Sequence, residues 1–246
     1  MKTITLEEVT DFVNQHIGEF HESRINRVKK IRLREVLLKK NPYLFKAKNI
    51  LTAQRLIESL LQAYLSSSEE ELFGAFLEEL AIFIARKTLN GRKSPGAGID
   101  LEFTKDGVVY LVSIKSGVNW GNSSQYEALR DRFKKAVQIL KQSKSVKAVQ
   151  PVLASCYGKR KTVNNGEYLR ICGQEFWCFI SGNRNLYTEM IEPLGHQAKQ
   201  HNQHYEEELA IAVNKFTGEF SKQFCPDGRI DWNQLVKFNS GNMKSS

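Results

Sequence analysis

The sequence predicts an α/β fold: a central mixed β-sheet of four or five strands from residues 98–172, flanked by helices and preceded by a helical N-terminal region. Three observations predict it. Ile99 to Phe103 alternates apolar and acidic residues, Val108 to Lys115 is a nearly unbroken apolar and β-branched run, and Lys105-Asp106-Gly107 between them is a turn signal. Tyr126, Leu129, Phe133, Ala136, Val137 and Leu140 then recur at helical spacing, ahead of another apolar run at Val146–Cys156. A helix crossing between two strands of one sheet delivers the second parallel to the first. At 246 residues the chain can bury a full core without disulfides or metal staples, and a formal net charge of +9 points to a polyanionic partner.

Taken in order, residues 4–20 carry an amphipathic helix whose start is marked by Thr5 and, three places on, Glu8, the halves of a capping box. From Arg24 to Arg55 eleven cations, Arg27 and Arg34 among them, stand against Glu35 alone, an excess larger than the whole net charge. Apolar residues interleave them in a helical pattern that Asn41-Pro42 breaks. So concentrated an excess favours contact with a phosphate backbone over a merely solvated helix face. Two helices are expected next, over 50–65 and 69–89. Leu72, Phe73, Phe76, Leu77, Leu80, Phe83 and Ile84 make the core stripe of the second, with Glu78 and Glu79 beside it. Asn90-Gly91 closes that helix. Gly91 to Gly98, with Arg92 and Lys93, is a basic glycine-containing loop able to approach a DNA backbone, and it lacks the phosphate-loop pattern of nucleotide-binding proteins.

Past the hairpin, the helix over Ser124–Gln142 sets five cations opposite its apolar face; Asn122 and Gln125 at its start suit the orienting of a water or phosphate, and Asn122 suits capping the helix as well. Tyr157 to Gly166 is a loop rich in cations and amides, whose Lys159, Arg160, Lys161 and Asn164 suit base or phosphate contact. Tyr168–Cys172 reads as a strand hairpinned to the one before it. Phe176, Trp177, Phe179 and Ile180 read as core rather than as a base-stacking platform. Residues 185–217 read as helix broken near Pro193-Leu194-Gly195, and a last helix after Asp231 gives way to a disordered polar tail from Ser240. His196, His201 and His204 do not share one helical face, so they read as surface residues and not as metal ligands. The four cysteines lack zinc spacing and read as reduced core residues. No apolar run approaches the roughly eighteen residues of a membrane span, and no signal-peptide core is visible, so neither membrane insertion nor export is expected.

The chemistry concentrates where the hairpin ends. Lys115 closes a strand of the kind buried on both faces, where a charged amine is costly unless a partner stands near. Asp100, on the paired strand, is that partner, and Ser113 points to the same side as Lys115. A carboxylate and a lysine on adjacent strands can bind a divalent metal, position a scissile phosphate and activate a water; a plain hairpin ion pair would show the same residues.

Ile99-Asp100, fourteen intervening residues and Ser113-Ile114-Lys115 resemble the PD-(D/E)xK nuclease superfamily. Ser113 departs from its pattern, which has an acid there. The superfamily often moves this acid, commonly to a glutamate on the preceding helix, so Glu78 and Glu79 are candidates, and Glu102 is a third. The chain from Ile114 onward is similar to a group of type II restriction endonucleases: IKSG-x-NWGNSSQ, then Cys156-Tyr157-Gly158, Gly173-Gln174-Glu175-Phe176-Trp177, Ile180-Ser181-Gly182 and a closing Pro226-Asp227-Gly228-Arg229-Ile230-Asp231-Trp232. The resemblance runs in register over roughly residues 74–236, and the members it points to cut GGNCC-type sites.

The resemblance implies a restriction-endonuclease-like core within a single nuclease domain over 1–246. Residues 1–66 would be a basic region for DNA contact and dimerisation, 67–182 the catalytic core and 183–246 C-terminal helices. It implies a Mg²⁺-dependent hydrolase of double-stranded DNA, with Mn²⁺ able to substitute. Asp100, Glu79 and the Ile114 carbonyl would ligate the metal, Lys115 would activate water or stabilise charge on the phosphate, and Ser113 would at most steady a water. Arg92, Lys93, Asn122, Gln125, Lys159, Arg160, Lys161, Asn164, Arg27 and Arg34 would contact DNA. A short palindromic site implies a homodimer, paired with a cognate DNA methyltransferase in a prokaryotic cytoplasm. Two alternatives stand beside it: a DNA-binding protein whose site Ser113 has dismantled, and a repair or recombination nuclease that recognises DNA structure.

Overall fold

The hairpin forms where the sequence places it. In the computed structural model, which describes residues 2–142, 146–195 and 197–242, strands β2 (Leu101–Lys105) and β3 (Val108–Lys115) pair antiparallel with Lys105 opposite Val108; they follow the short β1 (Arg92–Lys93). Asp106 and Gly107 form the two-residue turn, both at positive φ (52° and 77°), the twist that lets paired strands continue without splaying. The helix α5 (Ser123–Lys141) then crosses to β4 (Ala148–Ser155), which lies parallel to β3 over eight residues, from Val108 opposite Ala148 to Lys115 opposite Ser155. Phe133 and Leu129 of the helix pack on Leu111 and Leu153 of the strands, with Ile99 and Tyr168 completing that cluster.

Two further strands complete a six-stranded mixed sheet in the order β1-β2-β3-β4-β6-β5: β5 (Val163–Asn164) and β6 (Leu169–Cys172). The expected hairpin between the third long strand and Tyr168–Cys172 is corrected here, because β6 runs parallel to β4. Thirteen residues separate Ser155 from Leu169, enough chain to return along the sheet before β6 begins. The antiparallel partner of β6 is β5, one position further out.

The helices depart from expectation mainly in length. The first, α1, spans Leu6–Lys30, well past residue 20; its capping box is present, with the Glu8 N–H donating to Thr5 Oγ1 (3.2 Å) and the Thr5 N–H to Glu8 Oε2 (3.1 Å). After α2 (Leu33–Lys39) and α3 (Pro42–Ala47), the two helices expected over 50–65 and 69–89 are one, α4 (Ala53–Leu89). Ser66-Ser67-Ser68 contains neither glycine nor proline, and serine costs only about half a kcal/mol per residue in a helix, too little to break one whose apolar residues are buried. Asn90, at φ 52°, and the Gly91 N–H bonded to Ala85 O (2.9 Å) close it. After β6 come α6 (Gln174–Ser181), α7 (Leu186–Glu189), α8 (Ile191–Leu194), α9 (Ala198–Phe224) and α10 (Trp232–Ser240). The stretch 185–217 is thus three helices rather than one with a break. The final helix, α10, is capped by Asp231, which accepts the Gln234 N–H (2.9 Å), and it continues through Ser240; residues 243–246 of the expected tail lie outside the described residues.

The chain divides into two compact units. The first, residues 1–17 and 73–196, holds the sheet. The second, residues 18–72 and 197–246, has a core in which Ile25, Val28, Leu33, Val36 and Leu37 of the basic run pack with Phe216, Phe220 and Phe224. Burying that apolar face leaves Arg27 and Arg34 exposed. Phe176, Trp177 and Ile180 are core residues, Phe179 is partly buried against Phe103 and Tyr110, and all four cysteines are free thiols.

Candidate active site

Where β2 begins, the Asp100 N–H donates to Val112 O (2.9 Å), and β3 continues past it. Ile114 therefore has no strand partner on that side, and the side chain of Asp100 supplies one: its Oδ2 accepts the Ile114 N–H at 2.6 Å and the Ser113 hydroxyl at 3.3 Å. The Lys115 Nζ lies 3.9 Å from the same oxygen. Among the described residues these three contacts all fall on Oδ2. An extended residue aims its N–H and C=O at the same strand edge, so the Ile114 carbonyl faces the Asp100 side too. Ser113 is fully buried, and what its hydroxyl does is orient the carboxylate.

The helix α4 brings a second carboxylate. Glu78 is half-buried, and burial followed by the charge of Asp100 pushes its pKa above the usual glutamate range, against the pull of Lys93 and Lys115. Its Oε1 is 3.9 Å from Lys93 Nζ. Glu79, the next position round the helix, is exposed. Glu102 is engaged elsewhere, by Arg92 at 2.8 Å. The acid that shares space with Asp100 and Lys115 is thus Glu78. The buried thiol of Cys156, pushed up to about 12 by burial and then by Glu78, is no nucleophile.

One neighbour of Lys115 had no sign in the residue pattern beyond its place in NWGNSSQ. The Trp120 ring lies with its centroid 5.3 Å from Lys115 Nζ. Just after it, Asn122 and Gln125 form a capping box: Asn122 Oδ1 accepts the Gln125 N–H (3.1 Å) and Gln125 Oε1 the Asn122 N–H (2.9 Å). Their oxygens therefore serve the start of α5. Gly98, at φ 74°, passes so close under Arg132 that a Cβ there would meet its Cδ at 2.5 Å.

The other cationic candidates are spread over exposed surfaces. Arg92 and Lys93 make β1, and Lys159, Arg160 and Lys161 line an open groove of about 830 Å³ at the end of the sheet where Lys115 lies. Arg160 donates to Asn119 Oδ1 (2.9 Å), while Asn164 donates to Gln150 Oε1 (3.3 Å). In the second unit, Arg27 reaches the Tyr64 hydroxyl (3.4 Å) and Arg34 lies over Phe238. His201 stacks on the buried His21 with centroids 4.4 Å apart, His204 lies 3.6 Å from Glu207, and His196 lies outside the described residues.

Oxygen donors of this kind suit a hard divalent cation, and the pKa of Glu78, raised first by burial and then by Asp100, puts the two carboxylates within electrostatic reach of each other. Among the described residues there is no group of three or more His, Cys, Asp or Glu that could hold a metal.

The protein-family model described as type II restriction endonuclease EcoO109I matches residues 7–202. The chain belongs to that family. The match takes in the whole sheet together with Glu78, Asp100 and Lys115, so the EcoO109I-type restriction endonuclease fold, of the PD-(D/E)xK kind, is this α/β core. Family membership makes the protein a nuclease with DNA as its substrate. Comparison with curated proteins gives no significant match. No described helix is long and apolar enough to cross a membrane.

Proposed function

We propose that this restriction endonuclease is Mg²⁺-dependent and hydrolyses phosphodiester bonds of double-stranded DNA at a short palindromic site of the GGNCC type. The observation that carries the reading is the convergence of Asp100, Glu78 and Lys115 at one end of the hairpin. Asp100 and Glu78 would hold the cation, with the Ile114 carbonyl on the same edge. When bound, the cation acts as a Lewis acid on the phosphate and lowers the pKa of water. Ser113 and the Ile114 N–H fix the Asp100 carboxylate in place. The Lys115 ammonium, held beside it, stabilises the negative charge that builds on the phosphate as the bond breaks. In this reading Glu78 supplies the acid that Ser113 does not, and the exposed Glu79 has no part.

Cations of β1 and of the 159–161 loop would contact the backbone or base edges, and those of the second unit would add backbone contacts. A palindromic site calls for two-fold symmetry, hence a homodimer, and a cutter of such sites calls for a methyltransferase that protects the cell's own DNA. Long bacteriophage DNA incubated with Mg²⁺, beside an EDTA control, tests the reading. Discrete, metal-dependent fragments are expected, and their sizes give the site. A continuous smear would point to a nuclease that reads DNA structure, and tight binding without cutting to an inactive binding protein.

A further inference from the structure

We propose that Trp120 is a positioning residue for Lys115, an assignment that rests on the catalytic reading of that lysine. Lysine reaches its working place on a four-carbon stem, and side-chain freedom of that size must be removed before a single ammonium can meet a developing charge. Asp100 alone restrains it weakly: 3.9 Å is longer than a hydrogen bond, and the lysine side chain is 27% exposed. The same carboxylate is the one proposed to hold the cation, so its charge is shared.

The indole supplies a restraint that is not shared. Its ring centroid is 5.3 Å from Nζ, inside the range in which an aromatic face attracts a cation, and it neither takes the proton nor neutralises the charge. The ring is itself held. It packs on Tyr126 with centroids 4.7 Å apart, and both belong with the cluster of Ile99, Leu111 and Phe133 beneath α5. The chain around it is anchored by the Arg160 bond to Asn119 on one side and the Asn122–Gln125 capping box on the other. Trp120 thus links the start of α5 to the end of β3, and the reactive ammonium sits where those two elements meet.

The test compares Trp120→Phe and Trp120→Leu with wild type. In single-turnover cleavage the leucine variant should lose about tenfold while its affinity for DNA, measured without divalent ion, stays within about twofold. The phenylalanine variant, which keeps an aromatic face, should recover most of that loss. A second readout needs no cleavage. With lysines reductively ¹³C-dimethylated, the Lys115 methyl signal, assigned by its absence in Lys115→Arg, should be displaced upfield by the indole ring and return among the other lysines in Trp120→Leu. An undisplaced signal in wild type overturns the proposal, as does equal loss of rate in both variants or a loss confined to DNA binding. A displaced signal in a wild-type protein that does not cut DNA would instead leave the contact standing and overturn the catalytic reading beneath it.

Discussion

Replacing Asp100 by alanine and by asparagine separates its part in closing the hairpin end from its part in the chemistry. Alanine removes the acceptor of the Ile114 N–H at 2.6 Å and of the Ser113 hydroxyl at 3.3 Å, together with the counter-charge of Lys115 at 3.9 Å. A hydrogen bond to a charged group contributes about 1.5–3 kcal/mol, and a partly exposed ion pair of that length about 0.5 kcal/mol at most. Against this stands the relief of Glu78, whose ionised form Asp100 opposes. The net expectation for Asp100→Ala is a loss of about 2 kcal/mol, or about 4–8 °C in Tm for a chain of this size. Asparagine keeps an acceptor oxygen in the same place, so Asp100→Asn should stay within about 1 kcal/mol of wild type. Both should abolish cleavage. Urea and thermal unfolding followed by tryptophan fluorescence, beside single-turnover cleavage, read the two effects separately. An asparagine variant as unstable as the alanine variant would refute the hydrogen-bond account, and substantial cleavage by either would refute the site.

Glu78→Gln should abolish Mg²⁺-dependent cleavage, whereas Glu79→Gln should stay within about twofold of wild type; the reverse ranking would move the acid to Glu79. Because burial and then Asp100 raise the Glu78 pKa, the folded state holds its proton more tightly than the unfolded chain, so its ionised form works against folding at neutral pH. Glu78→Gln should therefore need more urea to unfold there than wild type does, while being inactive. In the second unit the His21 ring is buried, its Nδ1 lacks a partner among the described residues, and burial, followed by the charges of His201 and Arg24, lowers its pKa to about 4. The unfolded chain takes the proton first, so this site's stabilisation is whole above the unfolded pKa and falls away by about 3 kcal/mol as the pH drops towards 4. His21→Phe, which keeps the ring stacked on His201, should flatten that acid-side loss in urea titrations across the window; an unchanged slope would contradict it.

What was legible in the sequence was local. The Asp106-Gly107 turn, the Thr5–Glu8 capping box, the Asn122 cap and the Asn90-Gly91 helix end are fixed by neighbours a few residues apart, and each forms as its residues require. The contact between Asp100 and Lys115 was legible for a related reason: one hairpin with one turn brings the start of one strand and the end of the other to the same place. Illegible features depend on what packs from elsewhere. A triple serine neither breaks nor guarantees a helix, so the continuity of α4 is decided by burial on either side of it. Whether β6 runs with or against β4 depends on where the thirteen residues between them turn back. Glu78 and Glu79 differ by a single step round one helix, and only packing tells the half-buried one from the exposed one. Trp120 showed as one letter of a motif; its ring finds Lys115 only when α5 docks on the sheet.

The most direct test of the central claim is Lys115→Ala, assayed on a duplex carrying the cut site for both binding and single-turnover cleavage in Mg²⁺. The ammonium beside Asp100 is given charge stabilisation in the transition state and no large share of binding. The substitution should therefore leave DNA affinity within a few-fold of wild type and slow cleavage by about a thousandfold or more. Undiminished cleavage, or a loss accounted for by weaker binding alone, would contradict it.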